Sequence, residues 1–197
     1  MKKRTALIFS LVALSVVFSS IAFADVHVYK RNTGYYSAYY DSSIASYGYT
    51  SKFDWARSKW TAVSPNLYIG STTTNDSTTD EYYVGTTAEE GLFGRTSFYY
   101  RSIFGNFPRN PDSDNWDYSV VSLYDNTFIA RNLKTDTAIK NTATHEVGHS
   151  VGLEHTTSAT NKASSVMTAG NDSLKDRTIT TPSSYDLNNI TTKWGSW

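Results

Sequence analysis

The chain has 197 residues, with 18 basic and 18 acidic side chains, four histidines and no cysteine. A neutral balance without a basic cluster excludes a nucleic-acid partner recognised by charge. The absence of thiols excludes disulfides and a lipid-anchored lipoprotein, so stability has to come from packing and bound ions. Residues 1–24, MKKRTALIFSLVALSVVFSSIAFA, have a basic start, an apolar run and Ala22-Phe23-Ala24 ahead of Asp25, the layout of a secretory signal peptide with an A-x-A cleavage site. Cleavage there removes Lys2, Lys3 and Arg4 and no acid, leaving residues 25–197 as one domain with a net charge of about −3. That domain is expected to be secreted, free of the membrane and monomeric, since no other segment is apolar enough to span a bilayer.

Residues 26–49 carry seven tyrosines among Ser, Gly and Asn, and the run YYSAYY predicts a first strand exposed on one face. TSKFDWARSKWTAV follows with Thr50 or Ser51 as N-cap and Phe53, Ala56 and Trp60 at helical spacing, which predicts an amphipathic helix on a sheet. NLYIG and EYYVG read as two short strands around the turn-rich STTTNDSTTD, and GLFGRTSFYY as a further strand with an irregular or closely approached edge. The run PRNPDSDNWD reads as loop, and its Asp112, Asp114 and Asp117 form a set that a calcium ion could use, against the plainer reading of a solvated loop. YSVVSLY alternates as a strand, and TDTAIKNTATHEVGHS reads as a long helix capped by Thr135 or Asp136.

Three of the four histidines fall within HEVGHSVGLEH, residues 145–155. His145 and His149 are four apart and share one helical face, so both imidazoles can reach one metal ion. Glu146 is placed to reach a water on that ion without itself being a ligand, a general-base position. Gly152 allows the chain to turn with positive φ and bring His155 back as third ligand. Three imidazoles leave a fourth coordination position open, as in a catalytic zinc site. Five residue identities fixed at set spacings make chance a poor explanation.

This pattern, H-E-x-x-H-x-x-G-x-x-H, resembles the signature of the metzincin metalloproteases. SSVM, residues 164–167, resembles their Met-turn, which implies that Met167 forms an apolar floor beneath the histidines. Thr156, directly after the third histidine, is similar to the Ser or Thr of the matrixin branch. TPSSYDLNNITTKWG, residues 181–195, resembles the closing helix of matrixin domains, with Leu187 and Trp194 in place of two of the pattern's residues. The match is specific over about the last sixty residues and extends to the rest by order of elements. It implies an α+β fold: a twisted mixed β-sheet with two long helices, one bearing a single catalytic zinc ion, and a C-terminal helix.

The leading function is therefore a secreted zinc endopeptidase acting on protein or peptide substrates, with His145, His149 and His155 as ligands and Glu146 as catalytic base. One alternative is a zinc-bearing extracellular binding or envelope protein with the same fold and little protease activity. Another is a metallohydrolase acting on other carbonyl compounds. Resemblance further implies a substrate extended along an exposed strand, for which residues 91–98 are the candidate edge, with Gly91, Leu92, Phe93 and Gly94 at its start. Residues 168–185 would wall the pocket after the cut bond, with Leu174, Ile179 and Tyr185 favouring an apolar side chain. The second, structural zinc of vertebrate-type matrixins needs three more histidines, and only His27 remains. A thiolate latency switch is impossible without cysteine, and the roughly ten residues between the expected cleavage site and the first strand leave no space for the large inhibitory propeptide common among matrixins.

Overall fold

The computed structural model describes residues 25–169 and 178–197; the expected leader over residues 1–24, and Leu174, lie outside them. Strand β1 (Tyr35–Tyr40) takes the tyrosine run and turns Tyr36 and Ala38 to the core, as period-two alternation requires. Helix α1 (Ser42–Ser46) is a single turn started by Asp41, whose carboxylate accepts from Ser43 N at 2.8 Å. Helix α2 (Thr50–Trp60) buries Phe53, Ala56 and Trp60 completely, the three residues that its spacing placed on one face.

The sheet adds β2 (Tyr68–Thr72), β3 (Asp80–Gly85), β4 (Gly94–Ser102), β5 (Gly105–Arg109) and β6 (Tyr118–Tyr124) in the order β2-β1-β3-β6-β4-β5. β2, β1, β3 and β6 run parallel, and β4 is antiparallel to both β6 and β5. The sheet is mixed and the fold α+β, as expected. β5 takes in Pro108 and Arg109, where the local sequence signals predict a loop. Proline is tolerated there because β5 is the last strand and has one unpaired edge. Helix α3 (Asp125–Ala130), like α1, is too short for its period to register in the sequence.

Helix α4 (Asp136–Ser150) has Thr135 as N-cap, its side chain accepting from Ala138 N. Val147, Ala143 and the neighbouring Val151 are fully buried. Trp60 of α2 donates its indole N–H to Thr144 O at 2.9 Å, tying α2 to α4 by a buried polar contact inside an apolar interface. Helix α5 (Ser184–Trp194) begins with a capping box between Ser183 and Asp186. It ends with Trp194, whose indole donates to Val151 O at 2.8 Å and so satisfies a carbonyl that the end of α4 leaves open. No helix among the described residues is long and apolar enough to cross a membrane.

Candidate metal centre and active site

The last turn of α4 closes as a Schellman motif. Leu153 N donates to Gly148 O at 3.1 Å, Gly152 N donates to His149 O at 2.8 Å, and Gly152 takes φ +101°. This turn reverses the chain within three residues and returns His155 to the two helical histidines. His149 Nε2 lies 3.0 Å from His145 Nε2 and 3.2 Å from His155 Nε2.

Backbone carbonyls fix the tautomers. His145 Nδ1 faces Val166 O and His149 Nδ1 faces Leu153 O, each at 2.8 Å. A carbonyl only accepts, so both Nδ1 atoms carry the proton and both Nε2 atoms present lone pairs. Burial and the flanking His145 and His155 push the pKa of His149 well down, and burial lowers that of His155. Neutral rings with facing lone pairs repel one another unless a cation lies between them. Two donors about 2.1 Å from one ion, at tetrahedral or square angles, are about 3.0–3.4 Å apart, the separations found here. The three histidines therefore fit a zinc ion through their Nε2 atoms.

Met167 is buried, and its sulfur, with the ring of Trp60, fills the space a Cβ on Gly148 would need. The side chain thus packs under the helical turn between His145 and His149. The loop that carries it is anchored by Asp186, which accepts from Ser165 Oγ at 2.5 Å and Val166 N at 3.1 Å while capping α5 through Ser183 N. Thr156 meets the same loop through Ser165 Oγ at 2.5 Å and through its N–H to Met167 O. Asp186 thereby holds the carbonyl of Val166 that orients His145. The Ser183-x-x-Asp186 spacing is a capping signal visible in the sequence, but its reach to the Met167 loop is not.

Glu146 is buried against β4. Thr96 Oγ1 lies 2.8 Å from Glu146 Oε2 and 2.8 Å from Glu146 O. A Cβ on Gly94 would stand 2.7 Å from Glu146 Cγ and 2.8 Å from Oε1, so residue 94 has room only for glycine. Burial pushes the Glu146 carboxyl up to about 7, against the opposing effects of the Thr96 contact and the charge of Arg95.

Of the residues expected to meet substrate, Gly94 lies beside Glu146 and opens β4, whereas Gly91 sits in the preceding turn with φ +75°. Leu92 is half-buried between them. Phe93 belongs to the core, its ring 5.1 Å from that of Phe128 in a T-shaped pair, and offers no contact surface to a ligand. Tyr185 lies on α5 and donates its hydroxyl to Asp25 Oδ2 at 2.8 Å; Ile179 is partly buried against the core. β4 is not an edge along its whole length, because β5 covers it from Phe98 onward. Residues 94–97 pair with β6 on one side and with no strand on the other among the described residues. Phe93 O accepts from Tyr124 N, next to β6, so alternation turns the N–H and C=O of Gly94 and Thr96 to the open side.

The three aspartates considered for calcium do not converge. Asp112 meets His27 at 3.0 Å, Asp114 contacts Ser113 and Arg109, and Asp117 accepts from Asn32 and from Arg101 N. The three carboxylates face different neighbours, so the acidic run supplies no common point for a calcium ion.

The chain matches no family model and no curated protein sequence. Among solved structures it is similar to high choriolytic enzyme 1, a hatching enzyme zinc-protease from the medaka fish Oryzias latipes, at 13% identity over 87% of this chain and 96% of that one, with a TM-score of 0.45. It is also similar to myroilysin, at 14% identity over 86% of this chain and 97% of that one, with a TM-score of 0.45.

Proposed function

We propose that the chain is a secreted, matrixin-like metzincin that hydrolyses peptide bonds, with His145, His149 and His155 holding one catalytic Zn²⁺ and Glu146 as general base. One observation carries the reading: three histidine Nε2 atoms converge while a buried carboxylate and a strand edge unpaired among the described residues stand beside them. Zinc, when bound, supplies Lewis acidity toward a water and the scissile carbonyl. Glu146 takes the proton of the attacking water and passes it to the leaving amine, and a carboxyl poised near neutrality suits both transfers. Thr96 orients that carboxylate, and Gly94 leaves it room.

The open edge at Gly94 and Thr96 offers main-chain groups to an extended peptide, so substrate binds by strand addition next to the base. Met167 supports the histidine pair from below. The pocket after the cut bond is read as apolar from Ile179 and the ring of Tyr185. The test is cleavage of a mixed peptide library by the protein as purified, after chelation, and after return of Zn²⁺. Cleavage that stops with chelation, returns with zinc and leaves apolar residues after the cut bond is expected. No cleavage by zinc-loaded protein overturns the peptidase reading, and a strong preference for charged residues after the cut bond overturns the apolar pocket.

A further inference from the structure

A second group of metal-ligating side chains lies beside the first, formed by His27, Asp112 and Glu154. Three distant segments deliver it. The segment after Asp25 pairs with the turn beyond α4 through the Val26–Leu153 bridge, with His27 N donating to Gly152 O and Glu154 N to Asp25 O. The loop between β5 and β6 joins it when Tyr29 N donates to Pro111 O and Lys30 N to Asn115 Oδ1. These backbone contacts place His27 Nδ1 3.0 Å from Asp112 Oδ1 and 3.5 Å from Glu154 Oε1.

One imidazole nitrogen facing two carboxylates cannot satisfy both with a single N–H. Among the described residues, the only ion pairs of Asp112 and Glu154 run to His27. The Lys193 ammonium donates to His27 O and feels both carboxylates without an ion pair to either. The two carboxylates also meet each other, and acidic oxygens brought this close to one imidazole nitrogen need a shared proton or a bound cation between them. The two separations from His27 Nδ1, 3.0 and 3.5 Å, are close to the roughly 3.0–3.4 Å between two ligands on one transition-metal ion. Asp112 is 49% exposed, so the group is reachable from solvent, while His27 is held at 12% against the paired rings of Phe98 and Trp116.

We propose that His27, Asp112 and Glu154 form a second divalent-metal site, distinct from the three-histidine set, that ties the first residues after the leader to the turn carrying His155. One imidazole nitrogen and two carboxylate oxygens suit a borderline ion such as Zn²⁺; Ca²⁺ prefers six to eight oxygens and gains little from imidazole. Glu154 stands between Leu153, whose carbonyl orients His149, and His155, so an ion here fixes the turn on which the third ligand rides.

Calorimetric titration of the metal-free chain with Zn²⁺, read as stoichiometry and independent of peptide cleavage, tests the site. Two classes are expected, one ion each, with the second weakened at least about tenfold by Asp112→Asn and by His27→Ala while the first is retained. Millimolar Ca²⁺ is expected to leave both classes in place. A single ion per chain, or a second class untouched by either substitution, overturns the site. Displacement of the second class by Ca²⁺ overturns its assignment to a borderline ion. Two zinc classes without peptide cleavage would sink the peptidase reading and leave this one standing.

Discussion

The three-histidine set and the His27–Asp112–Glu154 group are neighbours, with the rings of His27 and His149 6.3 Å apart, yet they are held by opposite means. The donors of the first come from eleven consecutive residues, and a helical repeat plus one glycine turn sets their spacing before any tertiary contact is made. Carbonyls then lock two of the rings. The second cluster joins side chains 85 residues apart in sequence, and its geometry exists only while the segment after Asp25 stays docked. A locally built site is preorganised, whereas a site closed over long range holds metal only as firmly as its segments hold each other.

The sharpest way to break this contrast is His149→Ala, which removes the donor closest to both other rings. Zinc affinity at the first set should fall by well over the roughly 10–100-fold typical of losing a supporting contact, and cleavage should vanish. The Asp112-dependent class should persist in the same titration; its joint loss would mean that the clusters act as one. Next in size is Asp186→Asn, since an amide cannot reproduce four accepted contacts from Ser165, Val166 and Ser183. Denaturant unfolding should show a loss of about 3 kcal/mol, with weaker zinc binding through Val166 O and His145. Unchanged zinc affinity would show that the Met167 loop does not support the histidines.

Smaller effects fall on Glu146. Thr96→Val should lower kcat about tenfold with zinc retained, and Thr96→Ser should restore it, because a hydroxyl contact to a charged group contributes about 1.5–3 kcal/mol. An equal loss in the Ser variant would assign the effect to packing. The pH profile should move least. Cleavage requires the ionised carboxylate, so kcat/KM should fall as pH drops through the Glu146 pKa, which burial raises to about 7 and a bound cation lowers from there. The Thr96 contact favours the charged form, so Thr96→Val should shift that acid limb to higher pH. A shift to lower pH contradicts the assigned direction of the bond.

The same contrast explains what could be read in the chain. Helix α4 announces itself through period and cap; α2 does so through period alone, since its N-cap is Tyr49 without a side-chain cap and not Thr50 or Ser51, and His145, Glu146 and His149 need only the helical repeat. Gly91 and Gly94 were read together as marks of an edge approached by substrate. Gly91 instead serves a turn, and Gly94 is glycine because the Glu146 side chain occupies the place of its Cβ. Phe93 looked available next to them, but core packing against Phe128 claims it. Nothing in DVHVYK, residues 25–30, signals that Asp25 accepts from Thr157 and Tyr185 or that His27 meets Asp112. Pairings of that range are decided by the fold as a whole, which local patterns do not encode.

Glu146→Gln keeps the size and shape of the side chain and removes no proposed ligand, so zinc content and peptide cleavage measured side by side test the general-base assignment most directly. Zinc content equal to the wild type with cleavage reduced by roughly 10²–10⁴-fold is the expected result. Wild-type cleavage with zinc bound would contradict Glu146 as the base, and loss of zinc from this variant would contradict a metal held by His145, His149 and His155 alone.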